Sequence, residues 1–113
     1  MEFDRLMSET NEHFEKVFRM YRNTGFRLTE PILGVIKNDT LIISAKHSKT
    51  RKERRILLSP LDVPVIYELQ ECFNAWRSKV KVNRTKYFAQ RYSKEFKRLL
   101  NLCELESELE VHF

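Results

Sequence analysis

The stretch Leu41–Pro60, LIISAKHSKTRKERRILLSP, sets two short apolar runs on either side of a segment in which five of the eight residues from Ser48 to Arg55 are basic. Short apolar runs with period-two alternation, bounded by polar clusters, read as β-strands. If Leu41, Ile43 and Ala45 face a core, then Ile42, Ser44 and Lys46 face the opposite way, because successive strand side chains alternate. The second run, RRILLS, allows two settings: Ile56 and Leu58 inward with Arg54 on their side, or Leu57 inward. A slip of one residue exchanges the faces, so this choice decides which cations meet solvent.

Upstream, ILGVI reads as a further strand, and KNDT is a tight hairpin turn whose Asn38 and Asp39 tolerate positive φ. Pro31 bars a central-strand position at the start of this region. Before it, Phe3, Leu6, Met7, Phe14, Val17, Phe18 and Tyr21 recur at helical spacing, predicting one amphipathic helix over residues 1–22. Gly25 is the natural left-handed residue to end it. Downstream, Asp62 is the expected N-cap, with Pro64 in the first turn, of a helix over 63–80 carrying Val65, Leu69, Cys72, Phe73, Trp76 and Val80. Asn83 can cap a last helix over 84–105, lined by Phe88, Tyr92, Phe96, Leu99 and Cys103. The expected fold is therefore α+β in a single domain, residues 1–113: an N-terminal helix, a three- or four-stranded antiparallel sheet over 26–59, and two C-terminal helices.

No stretch approaches the eighteen apolar residues of a membrane span, and the first residues lack the apolar run of a secretion signal, so an intracellular chain is expected. Cys72 and Cys103 are far apart and lack metal-ligand spacing, which indicates neither a disulfide framework nor a zinc site and makes both small core residues. Two glycines leave no phosphate-binding loop and no dinucleotide fingerprint. His13, His47 and His112 have no nucleophile or carboxylate at a triad-like spacing. The expectation is a protein that is not an enzyme, with no catalytic residues, metal or cofactor.

The net charge of +5 is modest but unevenly placed: Lys46–Arg98 holds fifteen Lys and Arg against five acids, while ELESELE near the C-terminus has four Glu and no base. Such clustering is the footprint of a polyanion partner. The candidate contacts are Arg27, Lys37, Lys46, Lys49, Arg51, Lys52, Arg54 and Arg55, on the sheet and its connections. The basic last helix, from Arg84 to Arg98, offers additional contacts or a second site. Aromatics for base stacking are scarce on the strands; Phe73, Trp76, Tyr87, Phe88 and Tyr92 sit at core-like helical spacing instead.

The order FRLTE, ILGVIKNDTLIISAKHS, KTRKERRILLSP and VPVIYELQECFNAW, from Phe26 to Trp76, resembles the DNA-binding domain of the positive cofactor 4 family, single-stranded DNA-binding transcription coactivators. On that resemblance Leu41, Ile43 and Ala45 fall on inward positions, Lys46 on an outward arginine, and Arg54 on the basic position two before an isoleucine; Ile56 and Leu58 then face inward. The chain departs from the family in lacking its loop glycines, in Leu61-Asp62-Val63, and in its extra terminal helices. The resemblance implies a homodimer through the Val65–Val80 helix and a role in transcription, replication or repair. The leading expectation is a protein that holds single-stranded DNA or RNA by its backbone. The alternative is an adaptor whose amphipathic helices bind a protein partner.

Overall fold

The computed structural model describes residues 3–80 and 84–112, with side chains through Glu104 in the last helix. The chain is α+β: helices α1 (Phe3–Met7), α2 (Glu12–Thr24) and α3 (Glu30–Leu33), strands β1 (Val35–Lys37), β2 (Thr40–Ile43) and β3 (Arg54–Leu57), then helices α4 (Asp62–Arg77) and α5 (Thr85–His112). The strands form an antiparallel sheet in the order β1-β2-β3. Among the described residues no helix is long and apolar enough to cross a membrane.

The single N-terminal helix expected over residues 1–22 is two helices. Within residues 8–11, Ser8, Thr10 and Asn11 favour caps over helix interiors. The Ser8 hydroxyl donates back to the Arg5 carbonyl at 2.6 Å, and the Asn11 side chain accepts the Phe14 amide at 3.0 Å to start α2 afresh. Gly25 closes α2 at φ 69°, its amide donating to the Tyr21 carbonyl, as the sequence predicts.

The segment expected to open the sheet is also different. Pro31, with its φ preset for a first helical turn, turns Glu30–Leu33 into α3, so that ILGVI divides and only Val35–Lys37 joins the sheet. Gly34 is required here for space: a Cβ would lie 2.7 Å from Leu41 Cδ1 and 3.1 Å from the Glu30 carbonyl oxygen. Gln70 of α4 fixes the same joint, donating to the carbonyls of Pro31 and Gly34 at 2.9 Å each. The hairpin turn follows the sequence reading, with Asn38 and Asp39 at φ 49° and 60°.

The register aligns Ile36, Leu41 and Ile56 across the sheet and pairs Ile43 with Arg54. Leu41, Ile43 and Leu58 are buried, Ile56 is half-buried and Leu57 is exposed, which settles the two settings in favour of Ile56 and Leu58. Ala45 is a correction: β2 ends at Ile43, the chain turns at Ser44, and Ala45 and Lys46 lie exposed in that turn.

Helices α2, α4 and α5 enclose the rest of the core. Phe73, Phe88, Tyr92, Phe14, Phe18 and Phe96 form a ladder of rings with neighbouring centroids 5.2–5.8 Å apart, the tilted and edge-on geometries that aromatic pairs prefer predominating. Thr10 and Arg98 both donate to the Glu95 carboxylate, at 2.6 and 2.7 Å, fastening the α1–α2 junction to α5. The Arg98 bond, more than the Thr10 bond, holds that carboxyl below its ordinary pKa against the effect of burial.

Asp62 is not the N-cap of α4. Leu61 occupies the cap without a side-chain bond, Ser59 Oγ accepts the Leu61 amide, and Asp62 is buried, facing Asn23 at 3.5 Å. The helix stops at Arg77, three residues short of Val80. Its apolar stripe, Ile66, Leu69 and Phe73, is buried inside the chain, where α4 packs on α2, α3 and α5, leaving Tyr67, Glu71 and Asn74 outward. The last helix runs past the expected residue 105 to His112, and the expected Asn83 cap lies outside the described residues. Cys103 is buried and Cys72 half-buried, both as free thiols.

Replacing Gly34 by Ala drives a methyl into the fully buried Leu41 side chain and should destabilise the chain by about 1–3 kcal/mol. The urea unfolding midpoint measures this, and an unchanged midpoint would show that the α3–β1 joint is looser than described.

Candidate nucleic-acid interface

Alternation along the strands builds the face opposite the core. Val35, Ile42 and Arg55 align across it in one row, and Lys37, Thr40 and Leu57 in the next. Val35 is 56% exposed and Leu57 79%. A shallow concavity of about 610 Å³ lies over Lys37, Asn38, Thr40, Ile42, Arg55 and Leu57. With strands ~4.8 Å apart and ~3.4 Å of rise per residue, the backbones of Lys37 and Arg55 are about 12 Å apart on the diagonal. The face thus presents two cations across an aliphatic floor.

The connection from Ser44 to Glu53 leaves the end of the sheet remote from the hairpin turn. It is built from tight turns: the amides of His47 and Ser48 donate to the Ser44 carbonyl, the Arg51 amide donates to the Ser48 carbonyl, and the buried Ser48 hydroxyl bonds Thr50 Oγ1 at 3.1 Å. Arg51 is held at φ 58°, a left-handed conformation that glycine adopts without strain. Here an arginine occupies it at a cost of order 1 kcal/mol. Lys46, Lys49, Arg51 and Lys52 are all exposed, and none of them, nor Lys37, meets a carboxylate among the described residues.

The eight cations picked from the sequence therefore divide. Lys37 and Arg55 share the open face, and Lys46, Lys49, Arg51 and Lys52 ring the connection that leads into Arg55's strand. Arg55 also reaches Glu53 at 2.9 Å, both side chains remaining at least half exposed. Arg54 turns toward the core, where its Nη1 donates to Glu30 Oε2 at 2.5 Å; the Glu30 side chain is only 3% exposed. Arg27 precedes α3 and lies off the sheet; its amide donates to Glu30 Oε1 at 2.8 Å while its side chain is exposed. The sequence places Ile42 outward, and Leu57 as well in the setting that turns Ile56 and Leu58 inward; Val35 is the outward residue it leaves unplaced, although the same alternation is the available signal.

On α5 the cations are less free. Arg98 is bonded to Glu95 and to the Glu9 carbonyl, and Arg91 lies over the Phe88 ring at 5.1 Å. Lys94 and Lys97 remain exposed. Of the aromatics, Phe73, Phe88 and Tyr92 are buried and Trp76 half-buried, whereas Tyr87 is 43% exposed beneath Lys86.

One constellation links residues the sequence left apart. His13 Nε2 lies 2.8 Å from the Tyr92 hydroxyl, and Nδ1 lies 3.4 Å from Glu68. Burial, chiefly, pushes the Tyr92 phenol far above its ordinary pKa, so it stays protonated and keeps both a proton and a lone pair to share with the His13 ring. The chain ties α2, α4 and α5 together. No group of His, Cys, Asp and Glu able to hold a metal occurs among the described residues. Comparison with protein-family models, curated proteins and solved structures finds no match to this chain.

The two adjacent arginines of β3 should respond in opposite ways. Arg54→Gln strands the buried Glu30 carboxylate and should cost about 2 kcal/mol of stability by urea unfolding. Arg55→Gln, at an exposed pair, should stay within ~0.5 kcal/mol of the parent. Equal losses would contradict the assignment of one arginine to the core and the other to the surface.

Proposed function

We propose that the chain holds single-stranded nucleic acid by its phosphodiester backbone, along the open sheet face and the Ser44–Glu53 connection. The observation that carries this reading is an uncovered face with Lys37 and Arg55, running into a connection of four exposed cations without carboxylate partners. Neutralising phosphates releases counterions, a sequence-independent source of affinity. Val35, Ile42 and Leu57 give bases an apolar floor in place of aromatic platforms, so affinity is backbone-dominated and sequence preference weak. The strained Arg51 supports the reading, since charge stands where backbone geometry favours glycine. A role in transcription, replication or repair follows from the resemblance to the positive cofactor 4 family, and Arg54 is reassigned from phosphate contact to support of the sheet.

A protein-binding adaptor is the second reading, favoured by Val35 and Leu57, each more than half exposed on the same face. It requires no affinity for oligonucleotides.

Fluorescence anisotropy with oligothymidine separates the two. Six contacts, from Lys37, Lys46, Lys49, Arg51, Lys52 and Arg55, correspond to a slope of log affinity against log salt of about −4 at roughly −0.7 per contact. Replacing Lys46, Lys49, Arg51 and Lys52 together by Gln should reduce the slope to about −1.4. Absence of binding at ~50 mM salt, or a slope the quadruple variant leaves unaltered, would remove the nucleic-acid reading.

A further inference from the structure

On the helical side of the molecule a cavity of about 560 Å³ opens between α1, α2, the Phe26–Leu28 segment and α5. None of its lining residues belongs to the sheet or to the Ser44–Glu53 connection. Its volume lies within the range of small-molecule sites, and its walls are the side chains of Phe3, Phe18, Phe26, Leu28 and Phe96. The two phenols that reach it are engaged elsewhere: Tyr21 donates to the Leu28 carbonyl and Tyr92 shares a hydrogen bond with His13. Burial pushes the Tyr21 phenol well above its ordinary pKa, so it remains a neutral donor committed to that carbonyl. No side chain in the wall is left to satisfy the polar edges of a nucleobase or a sugar.

The remaining polar side chains of the cavity, Arg22 and Ser93, are both exposed at its rim. Arg22 lies over the Phe3 ring, 4.6 Å from its centroid, and meets no carboxylate among the described residues. Its neighbour Arg19 differs, being paired with both Asp4 and Glu15. A cavity with an apolar wall, and at its mouth one hydroxyl and one guanidinium that meets no carboxylate among the described residues, matches a ligand with a hydrocarbon body and a single anionic head. A guanidinium presents a planar fork of donors that fits a carboxylate, and stacking on Phe3 holds it in place.

We propose that this cavity binds a free aliphatic monocarboxylate of the fatty-acid class, its chain among the phenylalanines and its carboxylate on Arg22 and Ser93. The assignment is independent of the nucleic-acid reading, because the two surfaces share no residue.

Isothermal titration of the full chain with sodium decanoate, below the concentration at which it forms micelles, tests it. Saturable binding is expected, weakened about tenfold in Arg22→Gln, the scale of one lost contact to a charged group. Binding of 1-decanol, which lacks the charge, should be the same in the parent and the variant. Amide shifts caused by decanoate should cluster at residues 18–28 and 92–96. Absence of saturable binding, equal decanoate affinity in the Arg22 variant, or shifts clustered outside those segments would each overturn the proposal. Arg22 is exposed, so the variant is expected to fold, and its 1-decanol titration reports directly on the intact cavity.

Discussion

A buried carboxylate organises this molecule. Glu30, 2% exposed, accepts the Arg27 amide and the Arg54 guanidinium, and its own carbonyl accepts the Gly34 amide. An ionised carboxylate removed from water needs such donors, since leaving it unpaired costs several kcal/mol. Meeting that need ties the turn before α3, the α3–β1 joint and the first residue of β3 into one unit. Once Arg54 is held inward, alternation sends Arg55 outward together with Ile42 and Val35. The composition of the open face is thus a consequence of one ion pair beneath it.

Much of this was legible in the sequence. The two β-runs, the Asn38-Asp39 turn, the Gly25 cap and the aromatic stripe of α5 are local patterns, and the structure bears each of them out. The departures share a different origin. Glu30 meets Arg54 across 24 positions, and Asp62 meets Asn23 across 39. No periodicity encodes such partners: alternation can set Arg54 on the side of Ile56 and Leu58 but cannot name Glu30, so Arg54 falls among the contact cations and Asp62 reads as a cap. The break at Ser8–Asn11 was written in cap-forming residues, but the hydrophobic spacing on either side of it continues in phase and masked the interruption. Ala45 followed the alternation of a strand that ends two residues earlier.

The candidate site was legible as charge and much less so as geometry. Counting Lys and Arg located the Ser44–Glu53 connection, where backbone turns leave every cation outward. It could not separate Arg54 from Arg55, nor show that α4 would bury its apolar stripe inside the chain. It also gave no hint of the cavity beside α1, whose walls join residues 3–28 to residues 92–96. Charge density identifies a region of a chain; the register of a strand decides which members of that region can act together.

Under the proposed function the solvent face of the sheet, and not its core face or α5, meets the nucleic acid. The direct measurement is a methyl carbon–proton correlation spectrum recorded while oligothymidine is added. The methyl signals of Val35, Ile42 and Leu57 should move with the titration, while those of the buried Leu41 and Ile43 stay in place. Movement confined to Leu99 and Leu100 of α5, or none among the outward sheet methyls, would rule out binding on the open face.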